Sequence, residues 1–443
     1  MSKINTFNAS VAFADTKPHY ILLDGLRGVA ALMVLWYHVF EGFAFAKGSV
    51  IETFNHGHLG VDFFFLLSGF VISYAYDDRW RKSMSHQVTK SPSHQVQSQS
   101  QSQSQSMSLK SFFKRRLIRL HPMLVMGAFI GLICFFIQGG VKWDGTSTPF
   151  HWVMIAFVLT LFFIPAYPGA SYDIRGNAEM FPLNGPSWSL FFEYIGNILY
   201  ALFIRKLSNK MLGLLVGVTG ILWIWFVAFD ISGYDMIGIG WTLDAVNFFG
   251  GLLRMMFPFT LGMLMARNFM SQQVNKSMSQ QVETRQLHSK NEQDVIDTSD
   301  KIKPMFLKRN IFWIATIVLF ALFSVQYFPK TSTVSINGIY ELACIMIVFP
   351  LIVWIAASSD NAQSNFTLKL SKFLGDLSYP LYIVHYPVMY VFYAWLIKNQ
   401  YFTLAETWQM VILVLTVCIV LAYACLKLYD EPIRKRLSKK FLS

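Results

Sequence analysis

Apolar residues in this chain come in long runs rather than in alternation. Eleven such stretches, at 22–46, 59–76, 117–137, 152–164, 188–204, 211–229, 245–266, 311–328, 339–356, 377–397 and 410–428, are separated by polar segments. A helix that crosses a bilayer needs about twenty predominantly apolar residues, with a range of roughly 17–25. Runs of that length predict helices. The fold class expected is all-α, a polytopic membrane helix bundle. The fourth stretch is the shortest and ends at Pro165.

The positions of the cations order these runs across a membrane. Arg79, Arg81, Lys82, Lys90, Lys110, Lys114, Arg115 and Arg116 all fall between the second and third stretches. The turn 205–210 is basic, as are the segment 267–309 and the tail with Arg434, Lys435, Arg436, Lys439 and Lys440. Lys and Arg mark cytoplasmic loops. If 152–164 crossed, the 205–210 turn and the tail would both fall outside. If it is re-entrant or interfacial, every basic loop lies inside. We therefore expect about ten crossing helices plus one re-entrant or interfacial segment, with both termini cytoplasmic and 167–186 on the outer face.

Two segments are too polar to bury a core: a Ser-Gln repeat at 91–108 and a Gln-rich stretch at 271–300. They predict flexible cytoplasmic loops near 80–112 and 269–308. The expected organisation is a cytoplasmic N-terminal segment 1–19, a membrane domain 20–430 and a basic tail 431–443. The first twenty residues have no apolar core, so no secretory signal peptide is expected.

Composition agrees with the pattern. Of 443 residues, 54% are hydrophobic and only 14% charged, where soluble domains carry about 25% charged residues. The net charge of +12 belongs to the loops, and with no basic-aromatic recognition module it does not point to nucleic acid. Cys134, Cys344, Cys418 and Cys425 all sit inside apolar runs without metal-ligand spacing, so neither a metal site nor a disulfide framework is expected.

Some ionisable residues lie inside the runs, where they are costly and by default functional. Arg27 and His38 are eleven residues apart. At about 100° per residue that is three turns plus roughly 20°, so both share one helix face, about 16 Å apart along the axis. A packing histidine is the alternative reading. Glu41, one turn beyond, either orients the ring or ends the span. Arg116 and Arg119 open the third stretch as i,i+3 neighbours, suited to the phosphates of a nucleotide-like carrier or to anchoring at the interface. Glu193 either takes a proton from an acceptor hydroxyl or pairs with a cation such as Arg254. Asp62 begins the second stretch, and Tyr382 and His385 share a face late in the chain.

Together these pieces resemble the acyltransferase-3 family of membrane sugar O-acyltransferases. They are Leu23-Asp24-Gly25-Leu26-Arg27-Gly28 with Arg27-x10-His38; Val61-Asp62 through Ser68-Gly69-Phe70; Arg116-x-x-Arg119; Trp188-Ser189-Leu190 with Glu193; and Ser378-Tyr379 through His385. The resemblance implies a bacterial inner-membrane enzyme with no permanently bound cofactor. It would use acetyl-CoA or another acyl-CoA as donor and a lipid-linked or exported saccharide as acceptor. It places Arg27, Arg116 and Arg119 near the CoA and makes His38 and Glu193 the catalytic candidates. Asp24, Asp62, Ser68, Trp188, Ser189, Tyr379, Tyr382 and His385 would be acceptor-side or supporting residues. His38 would act as general base or as a transient acyl carrier. The competing class is a secondary transporter with His38, Glu193 and His385 as a proton relay, but paired inverted repeats are not evident. The sequence leaves the oligomeric state open.

Overall fold

The computed structural model describes residues 20–48, 53–88, 107–287, 302–330, 334–359 and 363–442. Segment 1–19 and most of the Ser-Gln repeat lie outside the described residues. The elements are helices throughout: α1 (Ile21–Ala46), α2 (Gly60–Val88), α3 (Leu109–Ile137), α4 (Phe150–Leu161), α5 (Ser187–Leu202), α6 (Asn209–Ala228), α7 (Ala245–Leu287), α8 (Ile302–Ser324), α9 (Ile336–Ala343), α10 (Phe349–Ala357), α11 (Asn365–Asn399), α12 (Leu404–Cys425) and α13 (Glu431–Phe441). Single π-helical turns, Cys344–Val348 and Leu426–Asp430, join α9 to α10 and α12 to α13. Among the described residues nine helices are long and apolar enough to cross a membrane. The predicted segment 311–328 corresponds to α8, whose 23 residues reach about 34 Å against a hydrocarbon core of about 30 Å. The 12 residues of α4 reach only about 18 Å.

Chain direction settles how α4 is counted. Gly25 meets Ser371, Gly28 meets Leu374 and Gly42 meets Tyr393, so α1 and α11 run parallel. Parallel helices need an odd number of crossings between them. α2, α3, α5, α6, α7, α8 and the α9–α10 helix supply seven, and an eighth through α4 would reverse α11. The α2–α7 pair gives the same answer, with Asp62 beside Arg254 and Asp77 beside Arg267. The short helix α4 packs on α3 without crossing.

Two close helix pairs form the centre, α1 with α11 and α2 with α7, and α3 and α12 flank α11. Helices in lipid gain little from apolar contact alone and associate where small residues let backbones approach. A Cβ on Gly28 would lie 2.3 Å from the Leu374 carbonyl oxygen, backbone that cannot move aside. Gly28→Leu is therefore expected to separate α1 from α11 and to leave little folded protein, as measured by monodisperse yield in detergent. Gly217, on α6 with open space around its Cβ position, should tolerate the same change.

The largest departures from the sequence expectation fall at three boundaries. α7 was expected to give way to a polar loop after 266, but the helix continues to Leu287. Residues 271–287 are rich in Gln and Ser, include Lys276, Glu283 and Arg285, and contain no Gly or Pro. Gln, Lys, Glu and Arg hold a helix well without making an apolar run. α2 likewise runs past 76 to Val88, and α11 starts at Asn365, twelve residues before 377, where the Ser364 side chain caps it by accepting from the Thr367 amide. α11 also carries Pro380 and Pro387. Pro387 cannot donate to the Ile383 carbonyl four residues earlier. The Asn184 side chain takes that carbonyl at 2.9 Å instead, and so ties the 162–186 loop to α11.

Candidate active site

The face shared by Arg27 and His38 is turned toward α11. At the Arg27 end, the guanidinium donates Nε to Ser378 Oγ at 2.9 Å and Nη2 to the Gly375 carbonyl at 3.3 Å. Asp24 lies 3.2 Å away, one turn earlier. On α3, Arg116 donates to Glu193 Oε1 of α5 at 2.8 Å, and Ser68 of α2 donates to the same oxygen at 3.2 Å. Arg119 makes no hydrogen bond or ion pair with a described residue. Tyr379 donates to the Leu120 carbonyl at 2.5 Å, holding α11 against α3.

This arrangement corrects the cation that the sequence offered to Glu193. Sequence offered it as a base for an acceptor hydroxyl or as a partner of Arg254. Its cation is Arg116, and its place is among the arginines rather than beside His38. Arg254 belongs instead to Asp62, with Nε and Nη2 donating to the two carboxylate oxygens at 2.9 and 2.8 Å. Trp188 covers that guanidinium at 5.1 Å. Asp62 is fully buried and has both oxygens committed, so the pair braces α2 against α7.

Between these clusters, Ser189 and Tyr382 share a 2.6 Å hydroxyl contact, and Tyr382 also donates to the Pro186 carbonyl at 3.3 Å. The edge of Phe64 packs on the Tyr382 ring. One turn further along α11, His385 Nδ1 lies 3.0 Å from the Leu381 carbonyl. A carbonyl only accepts, so Nδ1 carries the proton and Nε2 presents a lone pair. That Nε2 is buried without a partner. The His38 ring stands 5.1 Å away, tilted by 32°.

His38 is set in the same way. Its Nδ1 lies 2.6 Å from Glu41 Oε2. Tyr386 donates to that oxygen at 3.2 Å, and the Tyr393 hydroxyl reaches both it and the His38 carbonyl at 2.7 Å. An ionised carboxylate only accepts, so the imidazole keeps its proton on Nδ1 and exposes Nε2 as the basic atom. Sequence named Glu41 as a possible partner but missed Tyr386 and Tyr393. Tyr386 and Tyr393, seven residues apart on α11, share a helix face that meets α1, and that spacing was legible in principle.

A third group was not foreseen. Glu179, on the loop before α5, is buried. It accepts hydrogen bonds from Tyr390 OH and, at 2.9 Å, from Asn177. The Arg175 guanidinium lies 3.4 Å over the Tyr390 ring and donates to the Gln138 side chain and, at 2.5 Å, to the Pro182 carbonyl. Desolvation pushes the Glu179 carboxyl up to about 7, against the opposing pull of Arg175 and its hydrogen-bond donors. The folded protein therefore holds this proton more tightly than the unfolded chain does. Its stabilisation is complete below the ordinary value of 4.5 and is lost as pH rises through 7. The thermal midpoint is expected to fall between about pH 5 and pH 8, with a smaller fall in Glu179→Gln, which cannot ionise. An identical slope in the variant would remove Glu179 from this account.

His56, His58 and Glu341 were also missed. His58 Nε2 lies 3.1 Å and His56 Nε2 3.7 Å from Glu341 Oε1, while the other carboxylate oxygen accepts the Ile237 amide at 2.7 Å. Their signal, two histidines just before the second apolar stretch and a lone glutamate inside the ninth, is too diffuse to pair from sequence.

A family model described as an acyltransferase domain matches residues 20–426. Protein 2 in the picA locus of Rhizobium radiobacter is 29% identical over 208 residues, 46% of this chain and 91% of that protein. The peptidoglycan O-acetyltransferase OatA of Listeria monocytogenes is 23% identical over 381 residues, 83% of this chain but 49% of its own length. The acyltransferase MdmB of Streptomyces mycarofaciens is 27% identical over 193 residues, 41% of this chain and 38% of its own length. No solved structure matches significantly.

Proposed function

Because the chain belongs to the acyltransferase family whose model spans residues 20–426, we propose that it transfers an acyl group, acetyl by preference, from a cytoplasmic acyl-CoA to a hydroxyl of an envelope or exported saccharide across a bacterial inner membrane. The observation that carries this reading is the His38–Glu41 hydrogen bond at 2.6 Å, on the helix face that also bears Arg27. The printed name of one relative, a peptidoglycan O-acetyltransferase, supports a glycan acceptor. The multi-pass bundle supports chemistry within the membrane.

Glu41 holds the His38 proton on Nδ1 and aims the Nε2 lone pair into the site. By one route, Nε2 removes the acceptor proton as the hydroxyl oxygen attacks the thioester carbon. The C–S bond then breaks and the thiolate recovers that proton. By the other, Nε2 attacks the thioester itself, CoA leaves, and the acyl-imidazole is cleaved by the acceptor hydroxyl. In the first, the hydroxyl proton ends on the CoA thiol. In the second, the departing thiolate takes a proton from water, and the hydroxyl proton is released through the imidazole as the acyl group leaves it. In both, the carboxylate stabilises the cationic ring. Glu193 in this scheme positions Arg116 for the donor rather than acting as a base.

The test uses purified protein in lipid nanodiscs with acetyl-CoA, following free thiol with and without glycan fragments. Thiol release that depends on the acceptor is the expected result. Glycan acylation from another acyl donor, with acetyl-CoA left intact, would overturn the donor assignment.

A further inference from the structure

The arginines at the Arg27 end have neighbours that lie outside the matched family region, which ends at 426. Instead of stopping, α12 passes through the π-turn Leu426–Asp430 into α13, which returns to pack on α3. Lys114 of α3 sits 5.6 Å over the Phe441 ring. Asp430 is buried and paired with Arg434 at 2.8 Å, one turn on. Both side chains are only half satisfied, since Asp430 Oδ1 and Arg434 Nε are buried without partners, as is Arg116 Nε. Asp430 also lies within electrostatic range of Arg119, and Arg119 within range of Arg27. Tyr379 feels Asp430, Arg434 and Glu193 together.

Tyr379, which donates to the Leu120 carbonyl at the α3–α11 junction, thus lies near Glu193, Asp430 and Arg434. Arg27, Arg116 and Arg434 have Asp24, Glu193 and Asp430 as their carboxylates. Arg119 is left over, with donors unsatisfied around it. Such a surplus of guanidinium donors fits a polyanion. Arg27 is also about 16 Å along α1 from His38, a gap suited to a carrier whose phosphates and thioester are joined by a flexible arm.

We propose that α13 completes the donor site, Arg434 and Arg119 together binding the phosphates at the nucleotide end of acyl-CoA. This rests on the acyl-CoA reading above and adds a binding element that the family match does not contain. A basic helix beside a membrane also suits anionic lipid headgroups, so phosphate recognition has two possible sources, which the experiment separates.

Full-length wild type, Arg434→Gln, Arg434→Lys, the charge-neutral pair Asp430→Asn with Arg434→Gln, and the exposed-face control Lys435→Gln are assayed in nanodiscs with and without anionic lipid. Donors are acetyl-CoA and S-acetylpantetheine, which lacks the phosphorylated nucleotide. For Arg434→Gln and the neutral pair, KM for acetyl-CoA is expected to rise about tenfold, the worth of one charge-assisted hydrogen bond, while KM for S-acetylpantetheine barely moves. Arg434→Lys should recover part of the loss, and Lys435→Gln should match wild type. A KM ratio between the two donors that stays at its wild-type value overturns the inference. So does an effect seen only when anionic lipid is present, which would assign α13 to headgroups. If wild-type protein turns over neither donor, the acyl-CoA reading itself fails and takes this inference with it.

Discussion

His38→Ala should remove turnover while leaving the bundle folded. If the imidazole acts as a base, the loss in kcat is about 10²–10⁴-fold, and if it carries the acyl group nothing measurable should remain. Glu41 loses the ring in this variant but keeps the hydroxyls of Tyr386 and Tyr393, so its carboxylate is not left without partners. Glu41→Gln separates two contributions. A glutamine oxygen still accepts from Nδ1, so the ring keeps its orientation, but the negative charge that favours the imidazolium is gone. Its kcat should lie between wild type and His38→Ala, with KM for the donor little changed. Rapid quenching with labelled acetyl-CoA in the absence of acceptor then distinguishes the routes, because only the covalent one leaves label on the protein. Undiminished turnover in His38→Ala would end this assignment.

The largest stability effect is expected at Asp62. Its two oxygens hold Arg254 in a fully buried pair, and removing one partner strands a charge away from water. Breaking a buried pair in this way costs about 3–5 kcal/mol. Asp62→Ala should therefore lower the thermal midpoint in detergent steeply, or prevent recovery of folded protein. Replacing both partners together, Asp62→Leu with Arg254→Met, should restore much of the loss, because no uncompensated charge remains. If the double variant is no better than the single one, the pair matters for more than its own charge balance.

Much of this was legible in the chain itself, for reasons tied to particular residues. The Arg27–His38 face follows from helix geometry within one element, and so does Glu41 three residues on. The uncrossed fourth segment followed from the placement of Lys and Arg in the loops, and the parallel α1–α11 and α2–α7 pairs require the same count. What failed was matching between distant elements. Arg116 and Glu193 are 77 residues apart, and Asp62 and Arg254 are 192 apart. Nothing local says which carboxylate meets which guanidinium, so Glu193 was first offered the wrong cation. The docking of the 162–186 loop was missed for a related reason. It depends on Pro387 leaving a carbonyl free, and proline announces the free acceptor but not the donor that will fill it.

The parallel packing of α1 on α11 also bears on how the protein is made. α1 leaves the ribosome early with Arg27 and His38 already on it, yet Ser378, Tyr386 and Tyr393 emerge some 350 residues later. Until then the first helix carries its guanidinium and imidazole with only Asp24 and Glu41 of their eventual companions. Nascent chains halted before 365 should therefore cross-link through α1 to the insertion machinery or to lipid headgroups, and release that contact only once the C-terminal third has entered the bilayer.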